Sequence, residues 1–86
     1  MPKKDKDLER LLAIPSDYTY HEMATLLARY GYRELSGGAT GGSRRRFYRE
    51  HDKASILLHK PHPGNIVNKA TIRDVIRNLK ERGDIE

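Results

Sequence analysis

A chain of 86 residues makes one domain with a modest hydrophobic core, so neither a large substrate cavity nor a complex multi-step enzyme is expected. Seventeen lysines and arginines against twelve acidic residues give a net charge of +5, which favours a polyanionic partner such as a nucleic acid. The lack of cysteine excludes disulfides and thiolate zinc sites, and no apolar run approaches the roughly 20 residues that span a bilayer.

The beginning of the chain predicts a short helix. The charged segment 1–10 has no apolar stretch after it, so we expect no secretory signal, no membrane partner and a cytoplasmic location. Leu8, Leu11 and Leu12 have helical spacing, and Pro15 ends the helix because proline cannot continue it.

A second helix is predicted to begin at Thr19. Thr19 and Glu22 form a capping-box pattern, in which each side chain accepts a hydrogen bond from the other residue's backbone N–H. Apolar residues with helical spacing form its buried stripe: Tyr20, Met23, Leu26, Leu27 and Tyr30. Gly31 is expected to end the helix, since glycine accepts a positive φ without a steric penalty.

Three extended segments follow. Residues 32–36 make a weak strand, residues 43–49 a second strand, and Ala54–His59 a third, which is the most apolar. A glycine-rich run, 37–42, and a polar turn, 50–53, connect them. Alternation in the second strand predicts one face with Arg45, Phe47 and Arg49 and an opposite face with Arg44, Arg46 and Tyr48.

The last part of the chain predicts a loop and a helix. Segment 60–68 contains two prolines and a glycine, which is typical of a loop. We expect the helix to start near Thr71, where Asp74 completes a second capping box, and to stop at Gly83. Its apolar stripe contains Ile72, Val75, Ile76 and Leu79. The element order indicates an α+β fold, a three-stranded antiparallel sheet with helices on one face and the other face open to solvent or a partner.

The second strand is the first candidate site. It carries four arginines: Arg44, Arg45, Arg46 and Arg49. The planar guanidinium fork binds phosphate oxygens in a bidentate way, so we expect these side chains to hold RNA phosphates. The alternative is a solvated strand with salt bridges to Glu34 or Glu50. Tyr48 is the tyrosine that we expect to stack on a base.

The loop after the third strand is the second candidate site, with His59, Lys60 and His62. RNA cleavage needs a base for the nucleophile, an acid for the leaving oxygen and cations for the phosphorane charge; imidazoles and an ammonium supply all three without a metal or other cofactor. Pro61 and Pro63 restrict the backbone around His62, so we rank His62 above His59 as the proton carrier. The alternative is that both histidines cap backbone groups or face water.

Several short motifs occur in an order that resembles one known family. They are Gly31-Tyr32 at a helix end, Gly42-Ser43 before a strand, the aromatic Phe47, Pro61-His62-Pro63-Gly64 after an apolar strand, and Lys69-Ala70-Thr71 at the start of the last helix. In this order they resemble the HicA toxins, over roughly residues 18–82. The motifs are short, and only their order makes the match specific.

The resemblance implies a fold like that of double-stranded RNA-binding domains, α-β-β-β-α, here with an added N-terminal helix. It also implies a toxin that cleaves mRNA and is neutralised by a HicB protein. The family's usual catalytic histidine follows Gly-Ser, where this chain has Arg44, and its second common histidine corresponds to His62.

Arginine cannot act as a general base at neutral pH, so Arg44 leaves three functions open. Either His59 and His62 take over the acid–base role, or the protein is a module that binds RNA without cutting it. The third possibility is an interaction protein whose basic face docks an acidic partner.

Overall fold

The computed structural model describes residues 5–35, 44–61 and 64–86. The glycine-rich run 37–42, Ser43 and His62 lie outside these residues. In chain order the elements are α1 Asp5–Leu12, α2 Tyr20–Arg29, β1 Arg33–Leu35, β2 Arg44–Arg49, β3 Ala54–His59 and α3 Lys69–Glu81. The predicted α+β class is confirmed, and the order from α2 to α3 is that of a double-stranded RNA-binding domain with α1 added before it.

The start of α2 is fixed by the predicted capping box. The Thr19 hydroxyl accepts a hydrogen bond from the Glu22 N–H at 3.1 Å, and the Glu22 carboxylate accepts one from the Thr19 N–H at 2.9 Å. Arg10 of α1 donates to the same carboxylate at 2.6 Å, and this hydrogen bond lowers the pKa of Glu22. The contact therefore joins α1 to the first turn of α2.

Gly31 follows α2 with a φ of +93°, as its predicted role in ending the helix requires. A Cβ atom at this position would lie 3.1 Å from the Cδ atom of Arg49. Two constraints, the positive φ and the close approach of Arg49, therefore favour glycine at the turn into β1.

The sheet is antiparallel in the order β1-β2-β3. Helix α2 packs against β1 and α3 against β3, so the helices cover one face of the sheet. The largest fully buried side chains lie in this layer: Leu11, Tyr18, Met23, Leu26, Leu27, Tyr32, Phe47, Ile56, Val67, Ile72, Val75 and Leu79. The opposite face is covered by no helix within the described part of the chain, and we call it the open face.

The start of α3 differs from the prediction. The N-cap is Asn68, whose side-chain oxygen accepts a hydrogen bond from the Thr71 N–H at 2.8 Å. The carboxylate of Asp74 instead accepts a hydrogen bond from Arg77 at 2.7 Å. The expected Thr71–Asp74 capping box was therefore wrong, because Asn68, three residues earlier, caps the helix first.

The segment before α3 is tied to the start of α2. The Tyr20 N–H donates to the Asn65 carbonyl at 2.8 Å, and the Val67 N–H donates to the Tyr18 carbonyl at the same distance. These two bonds hold the C-terminal side of the predicted loop against the helix. Among the described residues, no helix has the length and apolar character needed to cross a membrane.

Candidate nucleic-acid interface

The side chains of β2 alternate between the core and the open face, as predicted. Phe47 and Arg49 are buried under the helices and Arg45 is half-buried on the same side. Arg44 and Arg46 are exposed on the open face, and Tyr48 is half-buried there. Two of the four arginines therefore point away from the core and are available to a ligand.

The pairing of the strands decides which other residues share the open face. Arg44 lies opposite His59, Arg46 lies between Leu35 and Leu57, and Tyr48 lies between Arg33 and Ser55. Directly opposed residues in a sheet point to the same side. The open face of the described strands therefore consists of Arg33, Leu35, Arg44, Arg46, Tyr48, Ser55, Leu57 and His59.

The described strands place no acidic residue on the same face as these three arginines, Arg33, Arg44 and Arg46. No ion pair joins Arg33, Arg44 or Arg46 to a carboxylate within residues 5–35, 44–61 and 64–86. Glu34, the acid of β1, is opposite Phe47 and so lies on the core side. The open face therefore has positive charge that is not neutralised locally, which favours an anionic ligand.

His59 and Arg44 form a cross-strand pair at one end of this face. Directly opposed residues in antiparallel strands have Cα atoms about 4.5–5.5 Å apart, so the two side chains are immediate neighbours. Both residues are exposed. The imidazole of His59 thus lies one strand away from the position where the HicA resemblance expects a catalytic histidine.

Arg45 follows the alternative that the sequence left open. Its Nε atom lies 3.2 Å from Glu34 Oε2, and its Nη1 atom donates to the Arg44 carbonyl at 3.0 Å. Because the pair lies on the core side of the sheet, Arg45 faces away from the exposed arginines. The salt bridge to Glu34 therefore uses the Arg45 side chain on the core side of the sheet.

Arg49 differs most from the expected phosphate ligand. The residue is only 5% exposed, and its guanidinium makes ion pairs with Asp52 at 2.7 Å and with Asp84 at 2.8 Å. It also donates to the Tyr30 carbonyl at 3.0 Å and lies 4.4 Å from the centroid of the Tyr32 ring. With its donors turned inward, Arg49 binds the protein's own acids and is not part of the open face.

Two side chains in the Arg49 cluster, Asp52 and Tyr32, have shifted pKa values. Hydrogen bonding by Arg49 lowers the pKa of Asp52 to about 2. Asp84 also accepts a hydrogen bond from the Tyr32 hydroxyl at 3.1 Å, and burial, followed by the charge of Asp84, raises the pKa of that tyrosine to about 12. Arg49 therefore keeps Asp52 ionised at neutral pH.

Lys60 is also placed away from the exposed arginines. It follows His59 in the chain, and its ammonium lies 5.4 Å from the centroid of the Tyr20 ring in α2. This cation–π contact holds Lys60 toward the helices. The structure therefore does not bring Lys60 together with Arg44 and Arg46, and His62 is outside the described residues.

One further depression lies between α1 and α2. It has a volume of about 210 Å³ and is lined by Asp7, Arg10, Tyr18, His21, Glu22 and Thr25. Arg10 is already paired with Asp17 and Glu22 there, and the volume is below the roughly 300 Å³ of ordinary ligand pockets. Within the described part of the chain, no three His, Cys, Asp or Glu side chains are grouped as metal ligands.

Sequence reasoning missed three members of the open face: Arg33, Leu35 and Leu57. Alternation alone places Leu57 with His59, but only the register shows that both leucines flank Arg46. The signal that was available is the alternation in β3, which places Leu57 on the same side of the strand as Ser55 and His59.

Comparison with protein families gives one match. The family model described as the HicA toxin of bacterial toxin–antitoxin systems matches residues 20–81, which is most of the chain. The matched region runs from the first residue of α2 to the last residue of α3. Comparisons with curated proteins and with solved structures return no match.

Proposed function

The chain belongs to the HicA family of bacterial toxins, and we propose that it is a ribonuclease that cleaves mRNA without a metal ion. A toxin of this family acts within a toxin–antitoxin system. The observation that carries the proposal is the strand register, in which His59 lies directly opposite Arg44. An imidazole and a guanidinium are thereby neighbours on the open face, beside a second exposed arginine, Arg46.

The proposed reaction uses the 2′-hydroxyl of RNA as the nucleophile. His59 removes the proton from the 2′ oxygen, the 2′ oxygen forms a bond to phosphorus, and the bond from phosphorus to the 5′ oxygen breaks. The departing 5′ oxygen must receive a proton, and we assign this step to His62. The products are a 2′,3′-cyclic phosphate and a free 5′-hydroxyl.

Arginines supply the charge that this reaction needs. The phosphorane carries more negative charge than the ground state, and fixed cations beside it stabilise the transition state. Arg44 is next to His59, and Arg46 lies two residues farther along the same face. We assign Arg44 to the phosphate on which His59 acts. Arg44 therefore has a binding role here, at the position where other members of the family have a histidine.

A second candidate function is RNA binding without cleavage. It is favoured by Arg44 itself, because arginine at the family's histidine position removes one proton carrier. The same open face would then hold RNA through Arg33, Arg44 and Arg46, and the protein would act by binding mRNA without cutting it. A role as a pure interaction protein that docks an acidic partner remains the third hypothesis.

We expect the purified protein to cut single-stranded RNA in the presence of EDTA. The reaction needs no metal, so chelation should leave the rate unchanged, and the fragments should end in a cyclic phosphate and a 5′-hydroxyl. DNA of the same sequence is the control, since it lacks the 2′-hydroxyl. Cleavage that stops in EDTA would contradict the mechanism, and binding without any cleavage would favour the second candidate.

Family membership implies an antitoxin partner, and we propose a HicB-type protein that covers the open face. Co-expression should yield a stable complex that no longer cuts RNA, because the partner occupies the arginines. Arg46→Glu should weaken the complex by about tenfold or more through like-charge repulsion. Arg73→Glu, an exposed change on α3, is the matched control. A complex that still cuts RNA, or equal effects of both variants, would contradict this placement.

A further inference from the structure

The open face combines positive charge with exposed apolar side chains. Leu57 is 57% exposed and Leu35 is 38% exposed, and the two lie on either side of Arg46 in one row across the sheet. The next row is formed by Arg33, Tyr48 and Ser55, as the pairing requires. Cations, leucines and an aromatic ring therefore alternate over a surface that no described helix covers.

We propose that this face is a platform for single-stranded RNA. Phosphates lie on the exposed arginines, while bases lie against Tyr48 and against the two leucines beside Arg46. The inference rests on the proposed function in taking RNA as the ligand, and goes beyond it by assigning a strand state and base-contacting residues.

The two leucines favour a ligand that is partly apolar. Phosphate binding alone uses guanidinium groups and gains nothing from Leu35 or Leu57, whereas a partly apolar ligand buries both side chains against its own apolar surface. The faces of nucleobases are flat and poorly hydrated, and they stack on aromatic and apolar side chains. A ligand with alternating phosphates and bases therefore matches the alternation of arginines with Tyr48 and the leucines.

A single strand fits this surface better than a duplex. In an A-form duplex the base faces are stacked inside, and the major groove is deep and narrow, so side chains on a sheet reach only phosphates and 2′-hydroxyls. Only an unpaired strand offers base faces to Tyr48 and Leu57. The same unpaired strand also exposes the 2′-hydroxyl beside His59, where cleavage is proposed.

Charge favours RNA over an apolar protein partner on this face in the free toxin. Arg33, Arg44 and Arg46 are exposed there, and the described strands put no carboxylate on that side. A protein partner would have to place acidic groups against the arginines and apolar groups against the leucines and Tyr48. RNA offers both kinds of group in every nucleotide, as a phosphate and a base.

The test is binding of a 2′-O-methyl RNA strand of about 12 nucleotides, compared with its duplex, by fluorescence anisotropy. This strand has no free 2′-hydroxyl and is not cleaved, so binding is measured whether or not the protein is a nuclease. We expect the single strand to bind at least tenfold more tightly than the duplex. Equal or tighter binding of the duplex would overturn the platform while leaving the cleavage proposal intact.

Substitutions at Tyr48 and Leu57 test whether these side chains contact the bases of the bound strand. Tyr48→Ala should weaken single-strand binding by about tenfold, which is within the range for one lost base stack, and Tyr48→Phe should restore most of it. Leu57→Ser should weaken binding about threefold. Leu12→Ser is the matched control, since Leu12 is 43% exposed on α1, on the other side of the sheet.

Three outcomes would separate this inference from its alternatives. If Tyr48→Ala and Leu57→Ser bind the strand as tightly as the parent, bases do not lie on this face and the platform is overturned. If Leu57→Ser weakens only the antitoxin complex, the leucines serve protein docking and the platform is likewise overturned. If the strand binds through Tyr48 but native RNA is never cut, the platform stands and the ribonuclease proposal fails.

Discussion

Replacing His59 by alanine is expected to slow RNA cleavage by about 10²–10⁴-fold, the usual cost of losing a general acid or base. His59 is exposed at the end of β3 and is not part of the core, so the fold should remain. Binding of the 2′-O-methyl strand should change by less than about twofold, because the arginines keep the phosphate contacts. Loss of cleavage without loss of binding is the signature of a proton carrier.

His21→Ala and His51→Ala are the matched controls for this experiment, since both histidines are exposed and lie away from the open face in α2 and in the β2–β3 turn. His62→Ala tests the residue that the sequence ranked first. If both His59→Ala and His62→Ala slow cleavage, the two share the acid and base roles. If His62→Ala alone slows cleavage, His59 is not a proton carrier.

The double variant His59→Ala with Arg44→His is the sharpest form of the test. It moves the imidazole across to the neighbouring strand, to the position where the HicA family has its usual histidine. We expect it to recover part of the activity lost in His59→Ala. Arg44→His in the parent background should lower affinity by removing a phosphate contact. No recovery in the double variant would mean that the two positions are not equivalent.

Much of the fold follows from local sequence signals. The Thr19–Glu22 capping box and Gly31 correctly predict the limits of α2, because their hydrogen bonds and backbone angles involve only neighbouring residues. Alternation in β2 correctly predicts which arginines share a face, since the period of a strand is two. These features need no knowledge of the rest of the chain.

The register between β2 and β3 could not be predicted from the sequence and is known only from the structure. It depends on the turn at residues 50–53, where Lys53 has a φ of +58°, a value that the lysine side chain does not predict. A shift of one residue would move His59 to the core side and away from Arg44. The pairing of these two residues, on which the proposed mechanism rests, therefore was not visible in the sequence.

The ion-pair partners of Arg49 also could not be predicted from local sequence patterns. Alternation placed it on the same face as Phe47, but one of its acids, Asp84, is 35 residues away along the chain. A buried arginine needs such a partner, because an unpaired charge is costly in the interior. Local sequence patterns do not show that Asp84 lies near Arg49, so a phosphate was the simplest partner to predict. In the structure, Arg49 pairs with the carboxylates of Asp52 and Asp84 instead.

Arg49 joins parts of the chain that are distant in sequence. Its guanidinium connects the β2–β3 turn through Asp52, the end of α2 through the Tyr30 carbonyl, and the C-terminal segment through Asp84. The ring of Tyr32 covers it from one side. Removing the side chain would leave Asp84, whose side chain is only 13% exposed, without its cation, whereas Asp52 is 40% exposed and can regain water.

Arg49→Ala is therefore expected to lower the free energy of unfolding by about 3 kcal/mol, the lower end of the cost of breaking a buried ion pair. This is a large share of the roughly 5–15 kcal/mol that stabilises a small domain. Arg49→Lys should recover only part of it, because one ammonium cannot reproduce the fork between two carboxylates. Arg77→Ala is the control: its pair with Asp74 is about 60% exposed, so the loss should stay below about 1 kcal/mol. Urea unfolding at neutral pH measures all three, and equal stability of Arg49→Ala and Arg77→Ala would mean that the Arg49 cluster does not stabilise the fold.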